Sequence, residues 1–464
     1  MKKSIYSLIA KNKRVKAAVI FGEQTLSYTE LHRQISYFSS YLLEQKLVAG
    51  QRVAVANFTP LELLIAYYGA AKCGISVVPI PFSDEQRQRG ALETSEAVLF
   101  LDSFVNEQTQ VESDVVAEEA MVIFTSGTTS TKLKGVRLAN QGINDICQFM
   151  NHEMQVDEQI IELVFASIDH AFGFGRCHSV LMAGGTVVLP TYLSSPLSIV
   201  SLVKQHHCNA LSTAPSLLAA LLQVASDELL VINQQLKWLQ TGAMRFDGFF
   251  RSQLCGMLPN TRIFLHYGLS EAMRVTFFEL NKHLDKAMTE GPASACSEIK
   301  IINEQGQALP SFESGKIAIK GSNLCLGYLD NALWEQQLSD GWFITSDIGY
   351  LDEQGFLVFA GRSDDVINYN GVLVHPDEIE SKLVELISDN AFSVFGMKDP
   401  KKMKDSIIVL CIEGETSITI KEVNQFLGKT DTNFRPSQII KVAELPRTRS
   451  GKVSRALLKK SISE

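Results

Sequence analysis

Hydrophobic residues recur along this chain with two different spacings, and their alternation predicts most of the framework. Apolar runs of strand type stand at Arg52–Ala56, Ile75–Ile80, Ala97–Leu101 and Met121–Phe124. Between them apolar positions fall three and four apart. The spacing predicts a helix over Thr25–Gln45, carried by Leu31, Ile35, Phe38 and Leu42, and another over Leu61–Lys72. The first opens on Ser27-Tyr28-Thr29-Glu30, where the serine and the glutamate can each satisfy a free amide of the other's end of the turn. Further strands are expected at Thr186–Leu189, Ala210–Thr213, Leu236–Gln240 and Arg262–His266, with helices around Ser216–Leu222 and Phe246–Cys255. Strands alternating with helices require crossover connections, so residues 1–363 are expected to form a large α/β domain with mostly parallel, doubly wound sheets.

The pattern changes near Gly291. Short alternating runs such as Lys316–Lys320 and Gly355–Ala360, separated by glycines and acidic turns, predict a β-rich subdomain of hairpins over about 291–360. A charged loop at Gly361–Asp365 precedes a last unit, 364–464, of α+β texture, with a helix at Pro376–Leu386 and a strand at Ser406–Ile412.

The 464 residues suffice for two or three well-buried cores, and a net charge of −8 argues against a nucleic-acid footprint. Eight cysteines without a CxxC pair fit reduced thiols in the cytoplasm. The amino end has basic residues and a short apolar stretch but no small-residue cleavage site, so export is not expected. No apolar run reaches membrane length, so no membrane span is expected either.

Three predicted strands end in chemically conspicuous residues, and in a doubly wound sheet ligands gather at such ends. After Met121–Phe124 come Thr125, Ser126, Gly127, Thr128, Thr129 and Ser130, then Lys132 and Lys134. Small hydroxylated residues around a glycine can turn backbone amides toward one anion, although a solvated turn has the same composition. Gly242 and Ala243 follow the second strand. After the third, His266, come Tyr267-Gly268-Leu269-Ser270-Glu271, offering a flat ring, a close backbone approach and an oxygen ligand for Mg²⁺; a plain turn with a surface glutamate fits equally. Asp347, expected beside a strand end, can accept two ribose hydroxyls, and Arg362 can reach phosphate or ribose oxygens. Lys452 lies on a glycine-containing loop in what could otherwise be a basic tail.

In this order and spacing the motifs resemble the adenylate-forming superfamily of acyl-CoA synthetases, peptide-synthetase adenylation domains and luciferases. The resemblance runs from Thr25-Leu26-Ser27-Tyr28 to Gly451-Lys452 and includes Gly184–Pro190, Thr213–Leu218, Gly327-Tyr328 and His375–Glu380. It implies a β-barrel-like subdomain and a mobile C-terminal domain, with Asp364 as hinge. ATP would be held with its β- and γ-phosphates on Thr125–Thr129 and Lys134. Adenine would meet Tyr267, Gly242 and Ala243, with His266, Gly268 and Ser270 beside them, and the ribose would meet Asp347 and Arg362. Glu271, with Thr128, would hold Mg²⁺, and Lys452 would reach the α-phosphate and the substrate carboxylate. His170 would gate the acid, though a core histidine is as common there.

Phe172, Phe174, Leu269 and Met273 suggest an apolar pocket, so a fatty or other hydrophobic acid is expected, then an aryl acid. Arg274 is read as meeting a polar substituent or, more often, as pairing with an acid. The implied activity is an acid–thiol ligase that releases pyrophosphate and transfers the acyl group to CoA. The alternative acceptor is the phosphopantetheine of a carrier protein; a nucleotide-binding protein without catalysis is the non-enzyme alternative. The chain departs from the family pattern at Ser130, at Leu133 (where proline is usual, in a loop one residue longer), at Ser346, at Lys316 and at Asn368. These departures bear on loop mobility and nucleotide affinity rather than on the charged groups.

Overall fold

Ser27 and Glu30 close the capping box that the sequence predicts: the Glu30 carboxylate accepts the Ser27 amide at 2.8 Å and the Ser27 hydroxyl accepts the Glu30 amide at 3.2 Å. This sets the start of the helix Tyr28–Glu44, whose Leu31, Ile35, Phe38 and Leu42 are all buried. Thr59 and Glu62 repeat the device at the head of Pro60–Lys72, the helix it packs against. In this computed structural model residues 3–12, 15–80, 85–105, 115–125, 133–191, 196–224, 226–242, 248–369, 372–387, 390–398, 406–430, 432, 434–447 and 453–463 are described.

Two mixed sheets carry the large domain. One has the strands Leu99–Leu101, Arg52–Val55, Ser76–Pro79, Glu119–Thr125, Lys134–Ala139 and Gly327–Tyr328 in that order across the sheet. The other runs from Gln24–Ser27 and Ala17–Phe21 through Thr186–Leu189, Ile161–Phe165, Ala210–Thr213, Trp238–Gly242 and Arg262–His266 to Phe278–Glu279. Parallel pairing dominates both, and antiparallel pairs sit toward the edges. Helices cover the faces, so the central strands are buried throughout.

The core of the second sheet contains a charge. Glu162 and Arg176 are both fully buried and meet in a two-pronged pair at 3.0 and 2.8 Å. Ser212 donates to the same carboxylate, and the guanidinium lies 4.9 Å over the Trp238 ring. These contacts replace the hydration that both ions lose.

Beyond Gly291 the expected antiparallel sheet is present: Gly291–Pro292, Phe356–Arg362, Trp342–Leu351, Gly315–Gly321 and Ser297–Ile302 are neighbours in that order. After a short 3-10 turn at Ser363–Asp365, a three-stranded sheet of Phe392–Lys398, Ser406–Glu413 and Gln438–Val442 has an apolar cluster of its own, including Ile379, Leu383, Ile408, Leu410 and Leu427. The helix expected over Pro376–Leu386 stops at Leu383. Among the described residues no helix is long and apolar enough to cross a membrane.

Candidate active site

Three residues assigned to the nucleotide from distant motifs meet at one place. The Tyr267 hydroxyl donates to Asp347 Oδ2 at 2.6 Å, and Arg362 Nε stands 3.5 Å from Asp347 Oδ1. The reason is strand register. Asp347 lies in the middle of Trp342–Leu351, not beside a strand end as expected, and is the direct cross-strand partner of Arg362. Tyr267 and Asp347 are only 8% and 4% exposed. Burial, then the neighbouring Asp347 charge, pushes the Tyr267 phenol well above its usual pKa, so it stays a donor. Ser346, one of the departures from the family pattern, accepts a 2.7 Å bond from Arg362 Nη2 and so orients that guanidinium.

Glu271 lies on the turn after Arg262–His266. Its carbonyl accepts from the Cys325 amide at 2.8 Å and Ala272 bridges to Leu324, tying the turn to the segment that connects Gly315–Gly321 to Gly327–Tyr328. Its carboxylate takes a 2.7 Å bond from the Tyr328 hydroxyl, and among the described residues no basic side chain pairs with it. A half-buried carboxylate with one oxygen committed to a phenol and no cation beside it is an oxygen donor of the kind Mg²⁺ takes. At the strand ends nearby, a Cβ on Gly242 would come within 2.5 Å of His266 Nδ1, and one on Gly268 within 2.6 Å of the Arg274 amide. Only glycine allows these close approaches, which pack Gly242 against His266 and Gly268 against the Arg274 backbone at the two strand ends beside Tyr267. His266 itself is buried, edge-on to Phe172 with ring centres 4.8 Å apart.

Thr125 and Lys134 are paired across the antiparallel strands Glu119–Thr125 and Lys134–Ala139, so they form the two posts of the expected phosphate loop. Leu133, where the family has proline, packs against the cluster containing Val122 and Phe124. Ser126, Gly127, Thr128, Thr129, Ser130, Ala243 and Lys452 lie outside the described residues.

The predicted acid pocket is divided by the structure. Phe172 and Leu269 are half-buried, but Phe174 is 1% exposed and belongs to the core, stacked parallel to His178 with ring centres 5.9 Å apart. Two positions apart on the helix Ala171–Ala183, Phe172 and Phe174 point about 200° apart, which the sequence spacing alone did not weigh. Met273, 4% exposed, also joins the core. His170 precedes that helix with its ring partly exposed and Nε2 3.9 Å from Asp169 Oδ1; Ser270 is half-buried on the Glu271 turn. Among the described residues Arg274 pairs with no acid. It is buried and donates to the Ala171 and Phe172 carbonyls at 2.7 and 2.8 Å, in a space left open by Gly175. Burial lowers its pKa to about 10, so it remains a cation at neutral pH.

Sequence reasoning missed Arg455. Its guanidinium joins Asp365, next to the expected hinge residue Asp364, to Asp377 and Glu380 at 3.0, 3.0 and 2.7 Å. The only signal was position: it stands three residues after Lys452. Asp364 itself is 3.6 Å from Arg362 Nη2.

Two mixed α/β sheets, a β-rich unit and an α+β unit, with a Tyr–Asp–Arg cluster near glycine-bearing strand ends and the Glu271 carboxylate, have the architecture of adenylate-forming enzymes. The chain belongs to the family of AMP-binding enzymes, whose model matches residues 8–119 and 105–329. It is 24% identical over 486 residues to an uncharacterised acyl–CoA ligase, YhfT, of Bacillus subtilis (strain 168), covering 99% of this chain and 98% of that one. It is 26% identical over 485 residues to tyrocidine synthase 2 of Brevibacillus parabrevis, where 96% of this chain spans 13% of the relative's length. The fold is similar to that of Bacillus subtilis O-succinylbenzoate coenzyme A synthetase (MenE) in complex with ATP and magnesium ion, with a TM-score of 0.84, 21% identity and 99% of each chain covered.

Proposed function

We propose that this protein joins a carboxylic acid to a thiol in two steps driven by ATP. In the first, a carboxylate oxygen attacks the α-phosphorus of ATP, the bond to the bridging oxygen breaks, and pyrophosphate leaves. In the second, a thiolate attacks the acyl carbon of the resulting mixed anhydride and AMP leaves. The meeting of Tyr267, Asp347 and Arg362 in one cluster is the observation that carries this reading.

The first step brings two anions together, at several kcal/mol for each uncompensated contact in a partly dry site. Asp347 and Arg362 would fix the ribose, and the backbone at Gly242 and Gly268 would meet the adenine beside Tyr267. Mg²⁺ held by Glu271 would neutralise charge on the departing pyrophosphate. Lys134 and Lys452 would supply positive charge at the phosphates, and rotation of 364–464 about Asp364 would remove Lys452 before the thiol enters. The buried cysteines need not act, because no covalent enzyme intermediate is required.

Phe172 and Leu269 support a hydrophobic acid, and the near full-length similarity to an acyl–CoA ligase supports CoA as the acceptor. The similarity to a segment of a peptide synthetase supports the alternative, the phosphopantetheine of a carrier protein. A reduced, cytoplasmic setting suits eight free thiols. The test is pyrophosphate release across a panel of acids, followed by addition of CoA or carrier proteins to the best acid. Lys452→Ala should abolish acyl-adenylate formation and spare thioester formation from supplied acyl-adenylate. No turnover with any acid, or equal loss of both steps in the variant, contradicts the scheme.

A further inference from the structure

Tyr328 touches two of the groups just placed on the nucleotide, yet nothing assigns it a role. It lies on Gly327–Tyr328, the edge strand that pairs with Lys134–Ala139, with Tyr328 opposite Val136. That register places its ring below Lys134, whose Nζ stands 5.5 Å from the ring centre. Its hydroxyl reaches across to Glu271 Oε1 at 2.7 Å. The phenol oxygen is also 2.9 Å from Gln337 Oε1. A phenol has one hydrogen, so it donates to one of these acceptors; the carboxylate is the stronger, and Gln337 with its amide turned can donate to the phenol oxygen in return. Gln337 is in turn fixed by its own backbone, donating to Trp334 and accepting from Ile344 at 2.9 and 2.8 Å. The ring is packed edge-on against Trp334 with centres 5.3 Å apart.

The consequence concerns the glutamate. A carboxylate on a turn has free rotation about its side-chain bonds, and a metal must select one arrangement at an entropic cost. A bond from a buried, packed phenol removes that freedom before the metal arrives. It also leaves Oε2, the oxygen with no partner among the described residues, to face a cation. Lys134 lies over the face of the same ring, so one side chain contacts both the ammonium and the carboxylate.

We propose that Tyr328 is a positioning residue that orients Glu271 for Mg²⁺ and supports Lys134 on the face of its ring. This rests on the reading of Glu271 as the Mg²⁺ ligand.

The test measures nucleotide binding to the purified full chain by calorimetry, with ATP in excess Mg²⁺ and with ATP in EDTA. Tyr328→Phe keeps the ring, its Trp334 contact and its Lys134 contact, and removes only the hydroxyl. It is expected to weaken the apparent affinity for Mg²⁺ in the ternary complex by about tenfold or more, the usual effect of losing a partner of a metal ligand, and to leave ATP binding in EDTA and the KM for the acid unchanged. Tyr328→Leu is expected to weaken binding in EDTA as well, because Lys134 loses its support. Gln337→Ala, which leaves the packed ring in place, should move the Mg²⁺ affinity in the same direction by less and serves if Tyr328→Phe does not fold. Glu271→Ala separates the two readings. If it abolishes the Mg²⁺ dependence while Tyr328→Phe and Gln337→Ala leave it as in the parent, the positioning role is overturned alone. If Glu271→Ala keeps the Mg²⁺ dependence, both fall.

Discussion

Acid should unlatch the core behind the candidate site, and one histidine sets the size of the effect. His178 is fully buried on the helix Ala171–Ala183 and is held between two partners. Asn144 uses its amide nitrogen on the Lys3 carbonyl at 2.8 Å, so its Oδ1 must accept from His178 Nε2 at 2.9 Å. Nδ1 then carries the lone pair and accepts from the Tyr68 hydroxyl at 3.2 Å. Among the described residues no carboxylate faces the ring, and burial drives its pKa from 6.5 down to about 3. The sign follows from that direction. Above 6.5 both folded and unfolded chains hold a neutral imidazole and the full contribution is present. As the pH falls below 6.5 the unfolded chain takes up a proton that the folded chain refuses until about 3, and stability is lost throughout that interval. At about 1.4 kcal/mol per pH unit, the loss is roughly 2 kcal/mol between about pH 6.5 and pH 5, before most carboxylates titrate. Urea unfolding measured across that range in the parent and in His178→Gln checks it. The variant is expected to be less stable at neutral pH but to lose about 2 kcal/mol less on acidification. An equal loss in both proteins would refute the assignment of a neutral, buried His178. The effect bears on function because the first turn of the same helix supplies Phe172 and the carbonyls that hold Arg274.

Two further substitutions test packing at the site and in the core. Gly242→Ala would set a Cβ within 2.5 Å of His266 Nδ1 and closer still to its carbonyl, so the two strand ends must part, and both the unfolding midpoint and the ATP affinity measured by calorimetry should fall. Unaltered nucleotide affinity would show that adenine does not sit at this strand end. Glu162→Ala leaves Arg176 charged, fully buried and unpaired, and should cost about 3–5 kcal/mol in chemical denaturation. A loss below about 1 kcal/mol would mean that water or another group compensates Arg176 in the variant.

The departures from the family pattern take on definite roles in the fold. Ser346 holds Arg362, and Leu133 packs the root of the phosphate loop into a hydrophobic cluster. Lys316 is spent on an exposed pair with Glu304 at 3.1 Å. None of the three takes a charge away from the Tyr267–Asp347–Arg362 cluster.

What the sequence determined by itself was local. The Ser27–Glu30 capping box, the strand and helix periods, and the glycines and acids at strand ends were legible because each rests on residues within a turn or two of one another. The strands Ala210–Thr213 and Arg262–His266 match their expected limits, and the change to hairpins beyond Gly291 was visible in the spacing of its turns. The motifs also named most members of the candidate site. The structure alone decided how those members face one another. Asp347 meets Arg362 through hairpin register and Tyr267 across 80 residues of chain. Phe174 turns to the core while Phe172 does not, because a helix rotates the two apart. Tyr328 reaches Glu271 across 57 residues, and Arg455 gathers three carboxylates from segments 75 to 90 residues away. Periodicity fixes which side of an element is apolar, but which polar groups meet depends on how separate elements pack, and that is settled only when the chain closes on itself.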